Sequence, residues 1–385
     1  MQQPRLEVKN FGPIKEADVT FGDLSIIVGP QATGKSIFLQ LLKLLLDSQK
    51  IIQTLHEYNL FPKGDLPRFL DIYFGEGMAS LFNASTVVNW NGDKKDLSLL
   101  MNMEDRKYPG LEAFLIPAQR VLVLRDGLTH TFREYRIGDP FSVREFSDYL
   151  HSIVQSHRIN DTFFPIPNHL REEYREQITK NIFSEYSLAR DTQLEKRLIL
   201  KTNGQAGLPY LVWSTGQREF VPLLLGLDWL ISDPDEKSRR FNWVMIEEPE
   251  MGLHPSAIST TMLLVMELLS RGYRVCLTTH SPHVLDIAWA LQVFREKQGT
   301  QEDFLKIFEL PSNPATKKLA ASILQKNVSV HYFTRGGLVK DISSLNPGSD
   351  ENDEAGWGGL SEFSGRIGDI VADVVTRHEF GSAAK

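Results

Sequence analysis

Gly29-Pro30-Gln31-Ala32-Thr33-Gly34-Lys35-Ser36, preceded by the apolar run Ser25-Ile26-Ile27-Val28 and followed by Ile37-Phe38-Leu39, reads as a strand, a phosphate-binding loop and a helix. Its glycines let the backbone turn tightly and aim successive amide N–H groups at phosphate oxygens, and the helix that begins near Lys35 adds the positive end of its dipole. In this reading Lys35 reaches the β- and γ-phosphates of a nucleoside triphosphate, and the Ser36 hydroxyl coordinates the bridging Mg²⁺. Residues 29–37 are together the candidate contacts for ATP. The bland alternative is a glycine turn that binds nothing. The complete G-x-x-x-x-G-K-S pattern between strand and helix argues against it.

The chain has 385 residues, 42% of them hydrophobic, which is enough for one elaborated globular domain or two. A net charge of -7 disfavours bulk electrostatic attraction to nucleic acid, so DNA binding is permitted by the sequence but not indicated. The single cysteine, Cys276 in Val275-Cys276-Leu277, excludes an intrachain disulfide and cysteine-cluster metal sites, and reads as a buried inert thiol in a reducing compartment. The N-terminus shows no apolar signal segment, and charged or amide residues such as Gln40, Lys43 and Asp228 interrupt the apolar runs before they could span a bilayer. A cytoplasmic protein without a membrane partner is expected.

Leu6 and Val8, then Ala17, Val19 and Phe21, alternate on either side of Asn10-Phe11-Gly12-Pro13, the pattern of an antiparallel hairpin. Further strands are expected at 85–90, 113–116, 243–246 and 275–278, the last two alternating with helices, which implies a mainly parallel α/β sheet. We divide the chain into a core lobe with the phosphate loop (1–135), a helical insertion (136–195), a second stretch of core (196–300) and a C-terminal α/β extension (301–385). Strand alternation is expected to resume at Leu198 and Leu200 and again at Tyr210 and Val212, around a turn at Asn203-Gly204. The extension should hold a helix over 314–324, an alternating run at Val328, Val330 and Tyr332, a solvated acidic loop over 348–356 and a last helix over 360–375.

Phe241-Asn242-Trp243-Val244-Met245-Ile246 ends in Glu247-Glu248-Pro249-Glu250, which puts two adjacent carboxylates at the C-terminal edge of a parallel sheet, where ligands bind. Glu247 is suited to hold Mg²⁺, and Glu248 to polarise a water that attacks the γ-phosphate. Taken alone, both could instead cap the next helix beyond Pro255. His280, in Thr278-Thr279-His280-Ser281-Pro282-His283, ends another apolar strand and could donate a hydrogen bond to that phosphate or water. Ser214-Thr215-Gly216-Gln217-Arg218-Glu219 opens the apolar helix of residues 220–231. By itself it is equally an ordinary cap or a phosphate contact.

Phosphate loop, Ser214 segment, carboxylate strand and His280 occur in the order found in ABC-type ATPases, and the chain resembles that class. Within it, Glu247-Glu248-Pro249-Glu250-Met251-Gly252-Leu253-His254-Pro255 and Thr279-His280-Ser281-Pro282-His283 resemble the SMC, RecF and OLD-like branch of AAA proteins. The resemblance covers about residues 1–135 and 195–300. It implies a head-to-tail dimer, or a higher homo-oligomer, in which Ser214 to Gln217 of one subunit closes over the γ-phosphate held by Lys35 of the other. It also makes Gln119 a candidate sensor of Mg²⁺ and water, although Ala118-Gln119-Arg120 could equally be a plain polar loop. Two departures from the broad class, Glu247 in place of aspartate and Ser-Thr-Gly-Gln in place of Ser-Gly-Gly-Gln, point away from transporters and toward the OLD-like branch.

In size and plan the chain resembles ATPase subunits of bacterial anti-phage systems, PARIS-type first and Septu or retron systems second. That resemblance implies a separate effector protein, a nuclease or toxin, and a phage protein as trigger. No acidic residues follow apolar strands in the C-terminal part as a Toprim nuclease would require, so no nuclease is expected in the chain itself. The alternative is a RecF-like repair ATPase that binds DNA directly. A transporter subunit and a small-molecule kinase are disfavoured, the first by the insertion and tail, the second because it needs neither the Ser214 segment nor His280.

Overall fold

The computed structural model describes residues 3–102, 112–156, 161–166, 169–191, 197–202, 207–232, 241–361, 365–368 and 370–372. Its central sheet is built from β3 (Leu24–Val28), β6 (Ala113–Ile116), β13 (Trp243–Glu247), β14 (Arg274–Thr279), β15 (Val328–Phe333) and β16 (Val339–Asp341), in the order β16-β15-β3-β14-β13-β6. Neighbours pair in parallel except at the β15–β16 hairpin. Every residue of β3, β6 and β13 is buried, as expected for strands covered on both faces.

The two-residue period of these strands sorts their side chains into two cores. Ile26, Phe114, Ile116, Val244, Ile246, Val275 and Leu277 face one, and Ile27, Leu115, Trp243, Met245 and Cys276 face the other. The second core is closed by α1 (Lys35–Glu57), α2 (Leu66–Phe74) and an antiparallel sheet. That sheet has the order β2-β1-β4-β5, from β1 (Arg5–Phe11), β2 (Ile14–Thr20), β4 (Val87–Trp90) and β5 (Asp93–Lys94), and contains the hairpin expected from the sequence. The first core is filled by α5 (Thr215–Ser232), α6 (Pro255–Ser270) and α7 (Pro282–Lys297), with α8 (Gln301–Ile307) and α9 (Pro314–Ile323) behind them.

Three expectations change. Segment 136–195 supplies α3 (Phe141–Ser156) and α4 (Glu172–Ile178), but also β9 (Thr162–Phe164) and β10 (Ser187–Arg190). These two pair with β11 (Leu198–Lys201) and β12 (Leu208–Pro209) in the order β12-β11-β10-β9, beside the small hairpin of β7 (Leu124–Arg125) and β8 (Leu128–Thr129). Strands of two to four residues are too short for alternation to reveal them. Second, Tyr210–Val212 is a helical turn and not a strand: Tyr210 is buried, while Leu211 and Val212 are 69% and 61% exposed. Third, β15 is no appendage, because it pairs with the phosphate-loop strand β3 along its full length. The acidic stretch carries one turn of helix, α10 (Asn352–Ala355), and residues 365–368 and 370–372 of the expected last helix are helical. The Asn203-Gly204 turn and the remainder of that helix, at 362–364, 369 and 373–375, lie outside the described residues.

Helix α1 is longer than the apolar run at its start and breaks at Asp47 (φ −116°, ψ 18°). The Asp47 carboxylate leaves the helix to accept the amides of Glu112 (2.7 Å) and Ala113 (3.2 Å), so it tethers α1 to the start of β6. Lys43, fully buried, neutralises it at 2.9 Å and also meets Glu145 at 3.0 Å and the Ala113 carbonyl at 2.8 Å. Removing one member of a buried ionic cluster strands the others without compensation. Lys43→Met is therefore expected to cost about 3–5 kcal/mol, read as a melting temperature lower by roughly 5–10 °C.

Candidate nucleotide site

Strand register decides what meets at the sheet edge. Val28 pairs with Thr279, Thr278 with Glu247, and Ile246 with Ile116, so the chain leaves β3, β14, β13 and β6 at one level. At that level emerge the phosphate loop, His280, Glu248 and the turn Pro117–Arg120. This is the carboxyl edge at which parallel α/β sheets bind ligands.

The loop has the backbone its sequence demands. Gly29 has φ +145° and lies so close to the Phe333 carbonyl that a Cβ would collide with it. Gly34, at φ +95°, caps α1 in the left-handed region, and a Cβ there would press on Ile14 and Pro13. Lys35 begins α1, and its ammonium donates to the carbonyls of Gly29 (2.9 Å) and Pro30 (2.7 Å). Burial lowers its pKa, and the charges of Glu248 and Glu250 oppose the fall. Thr33 donates to the Pro30 carbonyl at 2.9 Å, which closes the loop on itself.

Glu247 is buried at the end of β13, where Oε2 accepts the Ala118 amide at 2.9 Å. Burial raises its pKa, partly offset by that amide and by the nearby Ser36 hydroxyl. Its second oxygen, Oε1, is buried and has no hydrogen-bond partner. A buried carboxylate oxygen left open beside a serine hydroxyl is the donor set an Mg²⁺ ion with its water shell fits. Glu248 is half-buried, with a left-handed backbone (φ +44°) rare for a non-glycine residue. Its amide donates to the carbonyl (3.0 Å) and hydroxyl (3.2 Å) of Thr278. His280 Nε2 lies 3.6 Å from Glu248 Oε1. Burial and the positive charge of Lys35 lower the His280 pKa, against the pull of Glu248, which favours the neutral imidazole.

Two residues without a role in the sequence reading, Glu250 and Arg120, hold this edge together. Glu250 Oε1 accepts from the Thr279 hydroxyl (2.8 Å) and the His280 amide (2.6 Å), fixing the backbone that carries the histidine. Arg120, wholly buried, donates to the carbonyls of Glu247 (2.9 Å), Glu248 (2.9 Å) and Glu219 (3.0 Å), and its Nε is 3.7 Å from the Glu219 carboxylate. The sequence signals were a third acid two residues beyond the carboxylate pair, and a cation directly ahead of Val121-Leu122-Val123. Gln119, between Ala118 and Arg120, is exposed at the rim.

Ser214–Gln217 forms the start of α5. Ser214 and Gln217 bond reciprocally, Ser214 N to Oε1 at 3.0 Å and Gln217 N to Oγ at 3.2 Å, which makes the cap of α5. The turn packs on the Gly252 carbonyl and reaches the Ile182 carbonyl through Gln217. Ser214 and Thr215 are exposed.

Two families match separate parts of the chain, each under half of its length. Residues 1–115 match "AAA ATPase domain", and residues 126–286 match "AAA domain, putative AbiEii toxin, Type IV TA system". Among curated proteins the chain is 36% identical over 74 residues to the Old nuclease of Escherichia phage P2, a match that takes in 18% of this chain and 13% of that protein. Similar solved structures include the SMC head domain of Thermotoga maritima, at 13% identity and TM-score 0.34 over 74% of this chain and 92% of that one. The recombination mediator RecF is at 11% identity and TM-score 0.36 over 88% and 98%. Both scores fall below 0.5, and the fold assignment rests on strand order and register. Both matching descriptions are of AAA domains, so over these two stretches the chain is similar to AAA-type ATPases. Among the described residues no helix is long and apolar enough to cross a membrane.

Proposed function

We propose that this ATPase binds and hydrolyses ATP between two copies of the chain arranged head to tail, and that the assembled state controls a separate effector in defence against phage. The observation that carries the ATP site is the shared sheet edge, where the phosphate loop, the open oxygen of Glu247, Glu248 and His280 converge. Residues 29–37 would hold the triphosphate, Lys35 exchanging the carbonyls of Gly29 and Pro30 for phosphate oxygens. Ser36 and Glu247, with Gln119 at the rim, would hold Mg²⁺, which when bound neutralises charge on the β- and γ-phosphates. Glu248 accepts the proton of the attacking water, and His280 donates to the γ-phosphate oxygen.

The dimer is supported by the exposure of Ser214 and Thr215 at the start of α5, which offers a hydroxyl and the positive end of a helix dipole, both suited to phosphate. The description of the family matching 126–286 names a toxin of a toxin–antitoxin system, and the Old nuclease belongs to a phage; both support a role in conflict between phage and host. In this reading nuclease or toxin chemistry belongs to the effector, and the similarity to the Old nuclease takes in only 13% of that protein.

Light scattering with Mg²⁺ and a slowly hydrolysed ATP analogue tests the reading. The expected mass doubles on adding the analogue, and Ser214→Arg stays monomeric while still binding one analogue per chain. Hydrolysis at the wild-type rate by a monomeric Ser214→Arg variant would sink the composite site. Purification of the protein encoded beside this one as a stable partner would identify the effector.

A further inference from the structure

Arg120 joins two places that the proposed dimer assigns to different nucleotides. Its guanidinium reaches the backbone of Glu247 and Glu248, which serve the nucleotide held by its own subunit. It also reaches the carbonyl and the carboxylate of Glu219, in the first turns of α5, whose start would serve the partner's nucleotide. Glu219 in turn abuts Gly252, in the loop that follows the carboxylates. The neighbouring residue Ala118 gives its amide to Glu247, so the turn Pro117–Arg120 is fixed to the carboxylate strand at two points.

A buried cation with all its contacts spent on these groups costs desolvation, yet no bulk salt can screen it. A shift of α5 by a fraction of an ångström must therefore move Arg120, and with it the backbone of Glu248, whose left-handed conformation leaves it few alternatives. We propose that Arg120 is a positioning residue that couples the two ATP sites of the dimer: closure of Ser214–Gln217 on the partner's nucleotide sets Glu248 for hydrolysis in its own subunit. The inference rests on the head-to-tail reading above.

Hydrolysis velocity against ATP concentration, with analogue binding and light scattering on the same samples, provides the test. The wild type is expected to be sigmoidal, with a Hill coefficient above about 1.5. Arg120→Lys keeps the charge but cannot bridge three carbonyls in one plane. It should bind the analogue and dimerise as the wild type does, with kcat lower by about 30-fold or more and a Hill coefficient near 1. Glu219→Gln spares every backbone acceptor, so it should fold and show the same loss of cooperativity with a smaller fall in kcat. Should Arg120→Lys fail to fold, Glu219→Gln alone decides. An unchanged Hill coefficient in the variants, or a wild-type dimer without cooperativity, overturns the coupling and leaves the composite site standing. A wild type that never dimerises with ATP overturns both.

Discussion

Glu248→Gln is expected to bind ATP within about threefold of the wild type while turnover falls roughly 10³-fold, inside the range that a positioned general base contributes. The substitution removes the group proposed to accept the proton of the attacking water and keeps its size. What holds the residue in place is main chain: its amide on Thr278 and its carbonyl on Arg120, neither of which the side chain alters. The left-handed φ of +44° is therefore kept, and an amide stands where the carboxylate stood. One negative charge also disappears from beside Lys35 and His280, both of which feel it, so binding of a polyanion should not weaken. With chemistry blocked and binding intact, the ATP-bound dimer should accumulate and survive gel filtration. Steady-state hydrolysis, analogue affinity and mass on the same preparation check the three statements. Turnover near the wild-type rate would take Glu248 out of the mechanism and leave Glu247 or His280 to explain it.

Legibility followed from where the determining forces act. The phosphate loop was readable because its constraint is local: two glycines in the left-handed region and a lysine at the first helical position must appear in order within one turn. The carboxylate and histidine strands were readable for a related reason, since fully buried parallel strands are unbroken apolar runs that end abruptly in polar chemistry. Pairing was not readable. Nothing in Val328-Ser329-Val330-His331-Tyr332-Phe333 says that it lies beside Leu24–Val28 and not at the edge of a separate extension, because alternation reports a face and not a neighbour. The strands Thr162–Phe164 and Ser187–Arg190 were lost among longer helices for want of length. In Ala118-Gln119-Arg120 nothing local distinguishes the arginine, and its meaning is purely tertiary: each of its acceptors is about a hundred residues or more away in sequence. The sequence thus displayed the groups proposed for chemistry and concealed the groups that hold them in register.

Lys35→Ala is the second large effect, and its signature should be opposite to that of Glu248→Gln: nucleotide affinity lost, fold untouched. The lysine is largely buried, and burial already works against its charge, so the free protein gains little from it. Its two acceptors are loop carbonyls of Gly29 and Pro30, which can turn to water at the open edge of the sheet once the ammonium is gone. A melting temperature within a few degrees of the wild type is expected. With nucleotide the balance is expected to reverse, because charge-assisted bonds to phosphate contribute about 1.5–3 kcal/mol. That corresponds to an affinity lower by roughly 10- to 150-fold, measured by titrating a fluorescent ATP analogue in Mg²⁺. Since the dimer is expected to form only on bound nucleotide, the variant should remain monomeric at analogue concentrations that assemble the wild type, and assemble again when the analogue is raised in proportion. That recovery separates a binding defect from a damaged interface, because Ser214→Arg should not recover at any concentration. Affinity unchanged in Lys35→Ala would mean that the loop cradles something other than a triphosphate, and the roles given to Glu247 and Glu248 would fall with it.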